Sequence, residues 1–107
     1  MTHILQLTDE NFDRHFKESK LLVIEFFAAW CEPCKDFKRI FLEVASLKTE
    51  AVFASVDVEQ EKKLAEDFTI KSIPTLAIIQ NQILIFIQSG AMPKSALLKL
   101  VEQASAL

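Results

Sequence analysis

The segment Trp30-Cys31-Glu32-Pro33-Cys34 holds the only two cysteines of this 107-residue chain. It follows an apolar run typical of a β-strand and precedes a stretch with the spacing of an amphipathic helix. Two cysteines at this spacing can form a disulfide only where the chain curls, and the first turn of a helix supplies that curl. The free N–H groups and positive partial charge of that turn favour the thiolate form of Cys31. The segment therefore predicts thiol–disulfide exchange.

The apolar run before the cysteines contains one charged residue, Glu25. Residues of both parities between Leu21 and Phe27 are otherwise apolar, which is typical of a strand covered on both faces. Burial should raise the pKa of the Glu25 carboxyl, so that this group could hold or release a proton near neutral pH. We favour a proton-transfer role for Glu25 over the alternative that it pairs with a lysine or a water and is merely tolerated.

The elements that must position these residues alternate along the chain. The hydrophobic pattern predicts an α/β fold in the order βαβαβαββα, a central mixed β-sheet flanked by helices on both faces. Thr8, Asp9 and Glu10 should cap the first helix, and Pro93 should open the last one. The predicted strands span 4–7, 21–27, 51–58, 75–79 and 83–87, the last two forming a hairpin across Gln80-Asn81-Gln82. At 50% hydrophobic residues and with one glycine, residues 1–107 should form a single domain.

Composition argues against several classes of partner. A net charge of −3 and a pI near 5.3 give no basic patch for nucleic acid or an anionic membrane. The first residues lack a basic segment followed by an apolar one, and no window approaches the ~18 apolar residues of a membrane span. We therefore expect a cytoplasmic monomer, in which two cysteines suit a cycling redox pair.

Metal binding is not expected. A structural zinc site needs four ligands, and His3 and His15 lie far from the cysteines in the sequence. Both histidines are expected at the surface, and the run from Glu59 to Lys63 reads as a solvated helical face. Metal binding by the cysteine pair alone is the less favoured alternative.

Ser72-Ile73-Pro74-Thr75 and Gly90 complete a recognisable pattern. Together with the Trp-Cys-X-Pro-Cys turn and an acid six residues upstream, they resemble the thioredoxin family over essentially the whole chain. The resemblance implies that the Ile73–Pro74 peptide bond is cis and that Pro74 packs against the cysteine pair. It also implies that Ile73 and Pro74 form part of the substrate groove. The predicted groove consists of Trp30, Glu32, Pro33, Ile73, Pro74 and Gly90. For Trp30, a place in the core is an equally weighted alternative.

The expected activity is protein-disulfide reduction. Cys31 should attack a substrate disulfide, Cys34 should displace the reduced substrate, and Glu25 or a water that it holds should take the proton of Cys34. The resemblance implies no cofactor beyond this cysteine pair, and electrons from NADPH only indirectly, through a thioredoxin reductase. The alternatives are an oxidase or isomerase of protein disulfides, and a binding scaffold in which the cysteines are incidental.

The chain also departs from the family pattern. Glu32 replaces a glycine, Phe27 replaces a common tryptophan, and Arg39 replaces the proline that bends the helix after the cysteines. Ser55 occupies a position that often holds a lysine beside the buried acid. Without that cation, Glu25 is expected to be more easily protonated.

Overall fold

The computed structural model describes residues 4–107, so the prediction for His3 falls outside it. Strands and helices follow one another in the predicted order, βαβαβαββα. The strands are β1 (Leu5–Gln6), β2 (Leu21–Phe27), β3 (Val52–Asp57), β4 (Thr75–Gln80) and β5 (Ile83–Ser89). The helices are α1 (Phe12–Glu18), α2 (Glu32–Leu47), α3 (Lys62–Asp67) and α4 (Lys94–Ser105). The predicted α/β class is confirmed.

The strands form one mixed sheet in the order β1-β3-β2-β4-β5. β3 is parallel to β1 and β2, whereas β4 is antiparallel to β2 and β5. Phe26 pairs with Thr75, and Thr75 pairs with Ser89. The end of β2, the start of β4 and the end of β5 therefore share one edge of the sheet, which brings the cysteine turn, Pro74 and Gly90 to the same end of the molecule.

Helices cover both faces of the sheet, as predicted. α2 and α4 pack on one face through Phe37, Phe41, Val44, Leu97 and Val101, and α1 and α3 pack on the other through Phe12, Phe16 and Leu64. Each fully buried phenylalanine contributes about 1.5–3 kcal/mol through the apolar surface that it removes from water. Strand β2 lies in the middle of the sheet and is buried from Leu21 to Phe26, which explains its apolar residues of both parities.

The start of the first helix differs from the prediction. Thr8 and Asn11 exchange hydrogen bonds: the Thr8 N–H donates to Asn11 Oδ1 at 2.7 Å, and the Asn11 N–H donates to Thr8 Oγ1 at 3.0 Å. This turn delays α1 to Phe12. Asp9, predicted to cap α1, instead accepts the N–H group of Leu64 at 2.9 Å in the first turn of α3. Its carboxylate accepts an N–H group that would otherwise lack a partner at the start of α3, a helix distant in the sequence. The residues next to Asp9 give no indication of such a long-range contact.

The run from Glu59 to Lys63 is not one helical face. Glu59 and Gln60 lie in a turn in which their N–H groups donate to Asp57 Oδ1 at 2.9 and 3.3 Å. The Asp57 side chain thereby competes with the helix, and α3 begins only at Lys62.

The hairpin between β4 and β5 closes through Asn81 and Gln82, as predicted. Their φ angles are +48° and +66°, both positive as a type I′ turn requires. Asparagine tolerates this conformation, but glutamine has no local hydrogen bond to offset the close approach of its Cβ to the backbone. The turn is thus made with a strained residue at its second position.

Candidate active site

The two cysteines stand at the start of α2. Cys31 is the N-cap residue, and Pro33 lies in the first turn, where its missing N–H costs nothing. The cysteines form a disulfide with a Cα–Cα distance of 5.2 Å. The N–H group of Cys34 donates to Cys31 Sγ at 3.2 Å, so the sulfur takes the place that a cap oxygen usually occupies. The N–H group of Cys34 and the positive end of the helix dipole thus point at Cys31.

The disulfide is almost completely buried. Cys31 is 4% exposed, although it stands at a helix start, and Cys34 is 2% exposed. Both pack with Ala28 in a small apolar cluster to which Phe27, Val58 and Ile73 contribute. A sulfur held in a disulfide is not a nucleophile, so attack on an external disulfide requires the reduced pair.

The residues around the cysteines form an exposed rim. Trp30 is 65% exposed, so the alternative that it belongs to the core is wrong. Glu32 and Pro33 are exposed as well. Glu32 accepts a hydrogen bond from Lys35 Nζ at 3.0 Å, which places a positive charge beside the negative one between the cysteines.

The Ile73–Pro74 segment meets the cysteine turn from the neighbouring strand. The bond between these residues is cis, as the family resemblance implied, and Ile73 packs against the disulfide cluster. The Pro74 carbonyl accepts the N–H group of Gly90 at 2.8 Å. Gly90 has a φ of +98°, and no atom lies within 4 Å of where a Cβ would stand. The segments predicted to form the groove therefore come together at one end of the sheet.

Glu25 is fully buried beneath this site. Its Oε2 atom accepts hydrogen bonds from Ser55 Oγ at 2.5 Å and from Lys38 Nζ at 3.0 Å. Its Oε1 atom meets no hydrogen-bond donor among residues 4–107. The expectation that Glu25 lacks a cation because Ser55 replaces a lysine is wrong, since α2 supplies Lys38 in its place.

Lys38 is the residue that the sequence analysis missed. Its Nζ lies 4.1 Å from the centre of the Phe27 ring as well as against Glu25, so the side chain joins two strand residues of the site. A cavity of about 240 Å³ lies beside it, lined by Phe27, Ala28, Ala29, Cys34, Lys35 and Lys38. The available signal was the spacing of four residues from Cys34, which places both side chains on the same face of the helix.

The described residues contain no group of three or more histidine, cysteine, aspartate or glutamate side chains placed to hold a metal ion. His15 is half-buried, and its Nε2 lies 3.1 Å from the Arg14 Nη2 in a solvent-exposed contact. Between Ile4 and Leu107, no helix has the length and apolar character needed to cross a membrane.

This fold and a disulfide at a helix start define a class of dithiol–disulfide oxidoreductases, and comparison with known proteins specifies the family. The thioredoxin family model matches residues 3–103. Putative thioredoxin 2 of Streptomyces coelicolor is 41% identical over 107 residues, covering 100% of this chain and 80% of that protein. Thioredoxin of Mycoplasmoides gallisepticum is 34% identical over 102 residues, covering 95% and 100%. The structure of Plasmodium falciparum thioredoxin superposes with a TM-score of 0.87 at 32% identity, covering 94% and 98%.

The chain belongs to the thioredoxin family. It is a protein-disulfide reductase that works by dithiol–disulfide exchange, and its redox group is the Cys31–Cys34 pair. The two sulfurs carry the electron pair of the exchange.

Proposed function

We propose that Cys31 is the nucleophile of this reductase and that Cys34 is the resolving cysteine. The observation that carries this assignment is the position of Cys31 at the N-cap of the 16-residue helix α2, with its Sγ accepting the N–H group of Cys34. A negative charge on Cys31 is stabilised by that N–H group and by the helix dipole. Cys34 lies inside the helix and has no comparable share of the helix end.

The exchange proceeds in two balanced steps. The Cys31 thiolate attacks one sulfur of a substrate disulfide, and the other substrate sulfur leaves as a thiolate. Cys34 then loses its proton and attacks Cys31, which forms the Cys31–Cys34 bond and releases the second substrate thiolate. One electron pair passes from the protein to the substrate, and the protein ends in the oxidised form of this structure.

Glu25 takes the proton from Cys34, directly or through a water. Support comes from its complete burial, from an Oε1 atom with no donor among the described residues, and from its place in the strand that leads to the cysteine turn. Lys38 on the other oxygen favours the carboxylate that must accept the proton.

Substrates bind as extended peptide along the rim of the site. The groove consists of Trp30, Glu32, Pro33, Ile73, Pro74 and Gly90. Support comes from the exposure of Trp30, the contact of Ile73 with the cysteine cluster and the open space at Gly90. A large flat aromatic ring beside a bare stretch of backbone suits a variety of peptide sequences.

The partners that we propose are protein disulfides and a thioredoxin reductase, which passes electrons from NADPH. The protein acts as a monomer and as one domain over residues 1–107, and the single five-stranded sheet of the described residues supports the one domain. A net charge of −3 does not favour nucleic acid or an anionic membrane. A cycling cysteine pair suits the reducing cytoplasm, where we place the protein.

Reduction of insulin disulfides by NADPH and a thioredoxin reductase tests this assignment. The wild-type protein should turn over, and Cys31→Ser should abolish the reaction. Alkylation of the reduced protein at neutral pH should label Cys31 before Cys34. If dithiothreitol supports insulin reduction but the reductase does not, only the proposed electron donor is wrong. If Cys34 is labelled before Cys31, the proposed roles of the two cysteines are reversed.

A further inference from the structure

The Glu25 carboxylate depends on one neighbouring cation. Opposite Glu25, β3 contributes the neutral Ser55 and β4 contributes Leu76, which are its register partners. α4 adds apolar residues such as Leu97 to the same core cluster. Lys38 on α2 is the charged side chain that contacts the carboxylate, at 3.0 Å.

Two other charged residues lie near the site but are occupied elsewhere. Lys35 lines the cavity beside Cys34, and its Nζ lies 3.0 Å from Glu32. Asp57, two residues after Ser55 on β3, accepts backbone N–H groups of Glu59 and Gln60. Neither forms a hydrogen bond or ion pair with Glu25 within residues 4–107, so the charge of Glu25 is balanced by Lys38.

Lys38 also borders the space next to the resolving cysteine. Its side chain is 42% exposed, whereas that of Glu25 is 0% exposed. The cavity of about 240 Å³ that Lys38 lines is also lined by Cys34. A water occupies roughly 30 Å³ of liquid volume, so this cavity is large enough to admit water beside Cys34 and Lys38. Lys38 therefore contacts the buried carboxylate and also lines the cavity beside Cys34.

We propose that Lys38 is a positioning residue for the resolving step, which holds Glu25 ionised and ready to accept the Cys34 proton. This inference rests on the proposed function, specifically on the role of Glu25. Before the attack, Lys38 and Ser55 hold Oε2 and leave Oε1 available. When the proton arrives, Glu25 becomes neutral, the ion pair is lost, and the half-exposed ammonium stays solvated above the Phe27 ring.

The proton and electrons balance without a further reactant. The Cys34 S–H bond breaks, the proton passes to Glu25, and the sulfur lone pair forms the bond to Cys31. The bond between Cys31 and the substrate sulfur breaks, and the leaving thiolate takes up a proton from water. Lys38 gains and loses no proton in this sequence, and its part is electrostatic.

The reaction of the reduced protein with Ellman's reagent in a stopped-flow instrument tests the proposal. One thionitrobenzoate is released when Cys31 attacks, and a second when Cys34 resolves the mixed disulfide, so the two steps are read separately across pH. In Lys38→Met, the second phase should slow about threefold to tenfold at neutral pH, and its pH midpoint should move at least about one unit to higher pH. The first phase should keep its wild-type pH profile.

Matched variants separate this role from general effects. Lys38→Arg retains the charge and should restore the wild-type profile of the second phase. Arg39→Met removes the same charge from the next position of α2, where the side chain pairs with Asp36 and Glu43, and it should leave the pH profiles of both phases unchanged. Because Lys38 is partly exposed, Lys38→Met should fold, which its thermal unfolding will report.

Three outcomes would overturn the proposal, and they are distinguishable. An unchanged second phase in Lys38→Met, with an altered one in Glu25→Gln, would remove Lys38 and leave the proposed role of Glu25 intact. An unchanged second phase in both variants would remove Glu25 as the proton acceptor as well. An equal shift in Arg39→Met would reduce the effect to the net charge of the helix.

Discussion

Each end of the sheet contains a turn with positive φ angles, and the two turns use different residues to make it. At the site end, the chain turns after β5 through Gly90, with a φ of +98°. At the far end, it turns between β4 and β5 through Asn81 and Gln82, with φ angles of +48° and +66°, and the Asn81 N–H donates to the Lys20 carbonyl at 2.8 Å. The chain has one glycine, and it stands at the end that carries the disulfide. The turn at the far end places a strained glutamine at its second position, whereas the turn after β5 keeps a bare backbone next to Pro74.

Within strand β2, a buried charge near the site also contrasts with the apolar residues of the rest of the strand. Glu25 is a fully buried carboxylate near the site end, and it is balanced by a lysine that is half in solvent. Such a pair contributes little to stability, because the cost of desolvation offsets the attraction. The rest of β2 from Leu21 to Phe26 is apolar and stabilises the core. Substitutions at the site end should therefore change rates, and those at the far end should change only the free energy of unfolding.

Among the variants that keep both cysteines, Glu25→Gln should give the largest effect on the reaction. It removes the buried group that accepts a proton and keeps the size of the side chain, so release of the mixed disulfide should slow at least about tenfold. The pH–rate profile should flatten, and stability should stay unchanged or rise slightly. Kinetics of the mixed-disulfide release, measured across pH 6 to 9, roughly the window around the thiol pKa, give the answer. Unaltered kinetics would leave Glu25 a tolerated core residue.

Gly90→Ala should affect both stability and substrate binding. A Cβ at this position meets no atom within 4 Å, so the cost is that of the left-handed backbone alone, about 1–2 kcal/mol in unfolding free energy. The added methyl group points into open space beside Pro74, so KM for insulin should rise. Asn81→Ala is the control, because it strains the far turn in the same way and should leave KM as it is. Equal KM values in the two variants would exclude Gly90 from the groove.

Gln82→Gly should act in the opposite direction. Glycine adopts a positive φ without strain, so the free energy of unfolding should rise by about 0.5–1 kcal/mol. Urea denaturation measures the change, and the rate of insulin reduction should stay constant because the turn lies at the far end of the sheet. A loss of stability would show that Gln82 makes contacts that outweigh the strain of its backbone.

Glu32→Gly should give the smallest effect. The carboxylate opposes a negative charge on Cys31, and Lys35 at 3.0 Å offsets part of this opposition. Its removal should stabilise the Cys31 thiolate and hence the reduced protein, and should shift the potential by about 10–20 mV to less negative values. The shift, read against glutathione, should shrink as salt is added. A potential that moves the other way would show that Lys35 or the freed backbone outweighs the charge.

Much of this architecture could be predicted from the sequence because local patterns determine it. The range of β2 follows from an uninterrupted apolar run, and the start of α2 follows from the cysteine turn with Pro33. The burial of Glu25 follows from its central strand. The approach of Pro74 and Gly90 to the cysteines followed from family resemblance rather than from pattern.

Long-range partners could not be predicted in the same way. Lys38 looked like one of several exposed lysines until the packing of α2 on β2 placed it against Glu25. Asp9 looked like a cap for the nearest helix, and only the fold brings it to α3. Thr69 adopts a φ of +54°, which a β-branched residue gives no reason to expect. In each case the tertiary structure imposes a contact or a backbone strain on a residue, and the neighbouring sequence contains no signal for it.

The roles of the two sulfurs are tested most directly by trapping. Each single serine variant, reduced and incubated with an oxidised protein substrate, should be analysed by non-reducing electrophoresis and peptide mass mapping. Cys34→Ser should accumulate a mixed disulfide joined through Cys31, because the resolving sulfur is gone. Cys31→Ser should accumulate none. A stable mixed disulfide through Cys34 in the Cys31→Ser variant, with none in Cys34→Ser, would contradict the account.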